Sequence, residues 1–263
     1  MPEDEARVSI RNRGFLYGDG GFETIRIHRG APFRIDAHFT RLLRSLDLLR
    51  IDSAWSIHEL RQGAKKIVEE NRVADGLLRI TITAPEGLGR LGTATITSRE
   101  LPKIPDRPAL HLATSVRRVI GPLSQSKSIA RAAESTALRE AQAEGAFDAV
   151  LLNDKGRVAE TTARNLFCVA GGTLRTPGTY EGALAGITRG AIVEIAARSG
   201  AKVRESSLTV PQLQRAEEVF LTGSGVGVLG IASLDGHRFP YPGTTTTALR
   251  KSYADALEAE SRW

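Results

Sequence analysis

A chain of 263 residues, 41% of them hydrophobic, can fill one large core or two modest ones, and no apolar run in it approaches the roughly 20 residues needed to cross a bilayer. Its formal net charge of +6 comes from Lys and Arg interleaved with Glu and Asp, and aromatic residues make up only 5%, which argues against a nucleic-acid groove and for a small phosphorylated or carboxylated ligand. The single Cys168 excludes an internal disulfide and a multi-cysteine metal site, and the acidic stretch Met1–Glu5 is unlike a signal peptide, so a cytoplasmic protein engaging neither membrane nor nucleic acid is expected.

Arg7–Ile10 reads as a short strand, after which the glycines of Tyr17-Gly18-Asp19-Gly20-Gly21 permit a tight turn. Phe22–His28 alternates like a strand, turns at Arg29-Gly30 and continues into Ala31–Ile35, so an antiparallel sheet is expected. Arg26 shares a face with Phe22 and Thr24 and needs a carboxylate partner or an anion there. Asp36 is the expected N-cap of a helix whose buried face carries His38, Leu42, Ser45, Leu46 and Leu49; by pattern alone Arg41, near its middle, reads as a solvated side chain. A second helix, Ile57–Glu70 capped by Ser56, precedes the strand Gly76–Thr83. The glycine-rich loop Ala84–Gly92 then leads to the strand Thr93–Thr97, and Arg90, its only cation, suits a substrate carboxylate.

Leu110–Val119 reads as another strand, with a domain junction near Arg117–Gly121. Lys127 follows a Gly-Pro-Leu-Ser loop and opens an alanine-rich helix expected from Ser128 through Glu144, where a lone lysine can be held against a partly apolar surface. An apolar strand, Ala149–Leu152, and a turn, Asn153–Gly156, lead to Val158–Phe167, which carries Glu160. Gly186-Ile187-Thr188 lies at a helix N-terminus, which serves as a phosphate cradle or as an ordinary cap. A short helix after Val210-Pro211, a strand Val219–Thr222, a turn Gly223–Gly227 containing Ser224, a closing strand and a terminal helix Thr246–Ala259 complete the chain.

Six segments, in order and spacing, resemble the class IV family of pyridoxal-phosphate enzymes: Tyr17–Gly20 with Phe22-Glu23-Thr24-Ile25-Arg26, His38–Leu42, Ser126-Lys127-Ser128, Glu160–Phe167, Leu184–Arg189 and Leu234-Asp235-Gly236. That family contains branched-chain aminotransferases, D-amino acid transaminases, R-selective amine transaminases and 4-amino-4-deoxychorismate lyases. The resemblance covers nearly the whole chain. It implies a mixed α/β, two-domain fold-type IV architecture: a smaller N-terminal domain over residues 1–118, a larger cofactor-binding domain over 119–263, and pyridoxal 5'-phosphate in the cleft between them. It also implies a homodimer.

Carried over residue by residue, the resemblance makes Lys127 the lysine that bonds the cofactor and moves a proton, and Glu160 the acceptor of the ring N–H. Arg41, Ile187, Thr188 and Ser224 would bind the phosphate. Thr162 and Ala163 would face the substrate together with Phe22, Arg26, Arg90 and Arg131. Phe22 stands where D-amino acid transaminases have a tyrosine, and Ala84-Pro85 where the family has Arg-Gly, so Arg90 is expected to compensate at the substrate carboxylate, while Arg26 resembles the arginine retained after the Phe-Glu-Thr strand in lyases and several transaminases. The implied reaction is transamination between an amino acid, preferentially of D configuration, and a 2-keto acid. The lyase, supported by Tyr17–Gly20, Arg26 and Arg131, and an R-selective amine transaminase are the alternatives.

Overall fold

The computed structural model describes residues 3–87 and 92–263. Its first sheet has the strand order β2 (Ala31–Pro32), β1 (Gly20–His28), β3 (Gly76–Thr83), β4 (Ala94–Arg99), antiparallel throughout. Because strand side chains alternate, Ile25, Ile27, Leu78, Ile80 and Ile82 share one face. They pack on Phe39, Leu42 and Leu46 of α2 (Ile35–Leu48) and on Leu60, Ala64 and Val68 of α3 (Ile57–Glu70). Glu23 lies on that buried face. Phe22, Thr24 and Arg26 of β1 and Arg79 and Thr81 of β3 belong to the opposite face. Helix α3 begins at the expected Ser56, whose hydroxyl and the Glu59 carboxylate form a reciprocal capping box.

The remaining strands form two more sheets. One has the order β10 (Lys202–Glu205), β9 (Thr173–Thr176), β8 (Asn165–Ala170), β11 (Glu218–Gly223), β12 (Gly227–Gly230). The other runs β14 (His237–Arg238), β13 (Ser233–Leu234), β5 (Ala109–Leu112), β6 (Asp148–Leu152), β7 (Val158–Thr161). The apolar runs of β6, β8 and β11 are continuous because these strands are covered on both faces. Phe167 and Phe220, their rings stacked 5.0 Å apart, face α5 (Ile187–Arg198) and α7 (Thr244–Glu260). Leu166, Cys168, Val219 and Leu221 meet Val150 and Val158 between the sheets, and Ala149 and Leu151 meet Ala137 and Ala141 of α4 (Ala132–Ala143). Four layers result, helix on sheet on sheet on helix. The short α6 (Val210–Gln214), capped by Thr209, lies where Val210-Pro211 predicts it. The division at residues 118 and 119 remains a proposal; β5, on its earlier side, hydrogen-bonds to β6 on its later side.

Four local expectations are corrected. Arg7–Ile10 is irregular and exposed, because no neighbouring strand or buried face among the described residues receives it. The strand expected over Leu110–Val119 ends at Leu112, and residues 113–119 are irregular apart from the bridge of Arg118 to Asn153; ahead of the expected glycine turn, α1 (Arg13–Tyr17) is capped by Asn12 and ended by Gly18 at φ 65°, where an added Cβ would meet the Ala130 backbone at 2.9 Å. Helix α2 is preceded by Arg34 in the left-handed region rather than by an Asp36 cap, and Glu194 and Glu260 hold the Arg34 guanidinium. Helix α4 starts at Ala132, not Ser128, because residues 127–129 are taken up in hydrogen bonds to β1.

Candidate active site

Lys127 is held from two sides by its own backbone. Its carbonyl accepts from Phe22 N–H at 2.9 Å, and Ile129 N–H donates to Gly20 O at 3.0 Å, so the lysine segment extends the first sheet beyond β1. Lys127 N–H donates to Ser45 Oγ at 3.0 Å, and that hydroxyl donates to Arg41 O at 2.8 Å. The side chain enters a cavity of about 450 Å³ and carries its amine 4.7 Å from the Phe22 ring centroid. Loss of water around the amine, and then the charge of Arg41, bring its pKa down from 10.5 to about 7 against the opposing pull of Glu23 and Glu160. Roughly half the amine is therefore unprotonated at neutral pH, against about one part in 3,000 for an ordinary lysine. Reaction of the protein with trinitrobenzenesulfonate, followed by peptide mass spectrometry, is expected to label Lys127 with a rate that rises through pH 7 and levels off above 8. A rate still climbing at pH 9.5 would refute the lowered value.

Glu160, on β7, faces the same cavity. Its Oε2 accepts from Leu184 N–H at 3.0 Å and from Asn165 Nδ2 at 3.1 Å, while its Oε1 lies 3.3 Å from Arg118 Nη2. Burial pushes the carboxyl's pKa up, and Arg118 is the first influence opposing that shift. Asn165 also donates to Leu184 O at 2.8 Å, so its amide clasps β8 to the segment before α5 while orienting Glu160.

At the α5 end of the cavity, the Arg41 guanidinium donates through Nε and Nη2 to the two oxygens of Glu23, both at 2.7 Å, and through Nη1 to Ala185 O at 2.9 Å. It is an anchored side chain, in place of the solvated one that pattern alone suggests. Glu23 also pairs with His38 Nδ1 at 2.7 Å, and both side chains are fully buried. Gly186 precedes α5 without a capping side chain, and an added Cβ there would meet Asn165 Oδ1 at 1.9 Å. Ile187, Thr188 and Ser224 line this end, together with Thr222, whose buried hydroxyl has no hydrogen-bond partner among the described residues. Uncapped helix amides, an arginine and an unused hydroxyl around one space are groups able to hold an anion.

The positions matched to substrate are divided. Arg131, Thr162 and Ala163 line the cavity; the Arg131 guanidinium donates to Thr162 O and lies 5.9 Å from the Phe22 ring centroid. The Thr162 hydroxyl is committed to Asp148 at 2.6 Å, leaving backbone and Ala163 toward the cavity. Arg26 does not line the cavity, because its Nη2 pairs with Asp75 at 3.2 Å. Arg90 lies outside the described residues. Arg79, which sequence reasoning misses, stacks 3.8 Å from the Phe22 ring centroid; its Nε donates to Thr81 Oγ1 at 3.2 Å, and it has no acidic partner among the described residues. Burial, then Arg99 and Arg131, lower its pKa. The signal that could have found it is Arg79 alternating with Thr81 and Thr83 on a strand whose other face is apolar.

The family model described as amino-transferase class IV matches residues 20–234. A protein of Methanocaldococcus jannaschii named as a branched-chain-amino-acid aminotransferase is 32% identical over 269 residues, covering 97% of this chain and 93% of its own. The D-alanine aminotransferase of Bacillus licheniformis is 28% identical over 275 residues, covering 99% and 95%. Among solved structures, the T.th. branched-chain amino acid aminotransferase with pyridoxamine 5'-phosphate superposes with a TM-score of 0.91 at 26% identity, covering 99% of this chain and 92% of that one.

Proposed function

This chain belongs to the class IV aminotransferase family, and from that premise we propose that it moves an amino group between a branched-chain amino acid and a dicarboxylic 2-keto acid, using the cavity around Lys127. Enzymes of the family depend on pyridoxal 5'-phosphate. The residues present fit that group: an amine with a pKa near 7, a buried carboxylate, and an anion site with an orphaned Thr222 hydroxyl surround one space. The amine and the carboxylate facing one cavity are the observation that carries the reading. In it, Arg41, the α5 amides of Ile187 and Thr188, and Ser224 hold the phosphate, Glu160 receives the ring N–H, and Lys127 is the attachment point.

When bound, the cofactor supplies an electron-withdrawing ring that acidifies the substrate Cα–H. The chain's own residues do the rest. Lys127 Nζ takes the Cα proton and returns it on the cofactor side of the exchange, a task for an amine poised near neutrality. Leu123 offers apolar surface to a branched side chain and Arg131 presents charge to a carboxylate, both lining the cavity, while Phe22 and Arg79 pack on each other beside Lys127 and, against the expectation for Phe22, do not line it. The expected D preference rests on Arg90 and its glycine-rich loop; among the described residues Arg131 is the substrate-matched cation that lines the cavity, and the relative of highest identity cited above is named for branched-chain substrates.

Mixing the holoenzyme with L-leucine is expected to convert the bound-cofactor absorbance, and 2-oxoglutarate to restore it. D-alanine or R-1-phenylethylamine converting it faster than L-leucine would reassign the donor, and release of pyruvate from aminodeoxychorismate without transamination would make the protein a lyase. Arg131→Leu is expected to raise the KM for 2-oxoglutarate about 10- to 100-fold, the loss of one charge-assisted hydrogen bond. An unchanged KM would remove Arg131 from the acceptor site.

A homodimer in the cytoplasm is part of the same proposal. Tyr17 and Leu123, 67% and 59% exposed, line the cavity mouth, and Phe15, Leu16, Val119 and Tyr180 on neighbouring segments are also exposed, an apolar rim suited to a second copy. Among the described residues no helix is long and apolar enough to cross a membrane.

A further inference from the structure

We infer that Arg118 is a positioning residue that keeps Glu160 in its carboxylate form, so that the proton shared with the cofactor's ring nitrogen resides on the ring. The inference rests on the proposed placement of that ring against Glu160.

The Arg118 guanidinium is fixed by the scaffold independently of Glu160. Nε donates to Gly182 O at 3.0 Å, Nη1 to Glu134 Oε1 at 2.8 Å, and Nη2 to Ser124 O at 3.0 Å. Its backbone is tied as well, with Arg118 N–H donating to Leu152 O at 2.8 Å in a bridge beside Asn153. The remaining approach, Nη2 to Glu160 Oε1 at 3.3 Å, is therefore a charge delivered to Glu160 by a group that does not need it for support.

Three cations face Glu160: Arg118, Lys127 and Arg131. The charge of Lys127 changes with its chemistry, since an amine near pKa 7 that bonds a cofactor and carries a proton is neutral for part of the cycle. Arg131 is engaged with Thr162 O rather than with the Glu160 carboxylate. Arg118 is a guanidinium that takes no part in the proton transfers and is the cation in direct contact. Asn165 Nδ2 and Leu184 N–H add two neutral donors to the other oxygen. Glu134, on α4, shares Arg118 from its far side and moderates the charge that Glu160 experiences.

The direction of the effect follows from the pair. Burial favours a neutral Glu160 beside a neutral ring, and a fixed positive charge on the carboxylate side favours the ionic arrangement, with the ring protonated and able to withdraw electrons. Replacing Arg118 shifts the proton toward Glu160.

The test uses holoenzyme loaded with pyridoxal 5'-phosphate labelled with 15N in the ring. The cofactor content of each protein is measured first, so that a wild-type protein taking up no cofactor counts against the proposed function and not against Arg118. In Arg118→Gln the ring-nitrogen resonance is expected to move from the protonated toward the unprotonated position, and Arg118→Lys to restore it in part. A folded, loaded Arg118→Gln protein whose resonance stays at the wild-type position overturns the inference. Should Arg118→Gln fail to fold, infrared difference spectra of wild type against Glu160→Gln decide the matter. Absence of a protonated-carboxyl band at pH 7 supports the inference, and a band belonging to Glu160 overturns it.

Discussion

Lys127→Ala is expected to lower kcat/KM at least about 10⁴-fold, the loss of a nucleophile and a proton carrier in one side chain. The fold should survive, because the bonds that seat this segment are made by the backbone of Lys127 and Ile129 and by Ser45, none of which the substitution removes. The visible absorbance of the covalently held cofactor should vanish while noncovalent binding persists through the anion site of Arg41 and α5. Lys127→Arg is the informative companion: it keeps a positive charge and much of the volume but cannot act as a base near neutrality. If either variant retained more than a hundredth of wild-type turnover, Lys127 would not be the proton carrier.

Glu23→Ala is expected to cost about 3–5 kcal/mol of stability, because it leaves Arg41 and His38 facing each other without the carboxylate that pairs with both. The wild-type cluster also sets an acid limit. Glu23 has its pKa lowered from 4.5 to about 2, burial being outweighed by the charges and hydrogen bonds of Arg41 and His38. A carboxylate depressed in the folded state contributes stability present above its unfolded pKa and lost as pH falls from about 4.5 toward 2, on the order of 3 kcal/mol. His38 adds to the same limb: burial lowers its pKa below 6.5, so the unfolded chain binds its proton first, and stability falls as pH drops below that value. Urea melts between pH 3 and pH 7 should show wild type losing stability on acidification and Glu23→Gln losing less of it. The Gln variant should also release pyridoxal 5'-phosphate more readily at pH 7, since Arg41 loses its bidentate seat. Equal stability and equal acid slope in the two proteins would refute the account.

Much of the architecture could be read from periodicity. The alternation in β1 and β3, the capping box of α3 and the continuous apolar runs of β8 and β11 are local signals that the tertiary structure reinforces. Helix propensity misplaces the start of α4 because it is blind to the open flank of β1, which claims residues 127–129 before the helix can. For the site, the family resemblance singles out Lys127, Glu160, Arg41 and the α5 N-terminus, and the cavity gathers them, although pattern alone reads Arg41 as a solvated side chain. The substrate side was less legible. Arg26 and Arg79 both sit on the same sheet face, and alternation cannot tell which of them has an acid at hand; that depends on the register pairing Arg26 with Leu77, which brings Asp75 within reach of Arg26 and leaves Arg79 over Phe22. His38 and Ser45, polar residues on an otherwise apolar helix face, were visible as oddities whose partners, Glu23 and the Lys127 amide, lie 15 and 82 positions away.

The attachment of residues 127–129 to β1 also guards the molecule against its own kind. Gly20 and Phe22 would otherwise present free backbone groups along the flank that β2, confined to Ala31–Pro32, leaves uncovered. Such a flank invites a strand from another chain. The segment that carries the reactive amine is thus also the plug against edge-to-edge aggregation. Shortening residues 121–130 would open that flank and displace the amine together, whereas exchanging the lysine side chain alone would silence the chemistry and leave the plug in place.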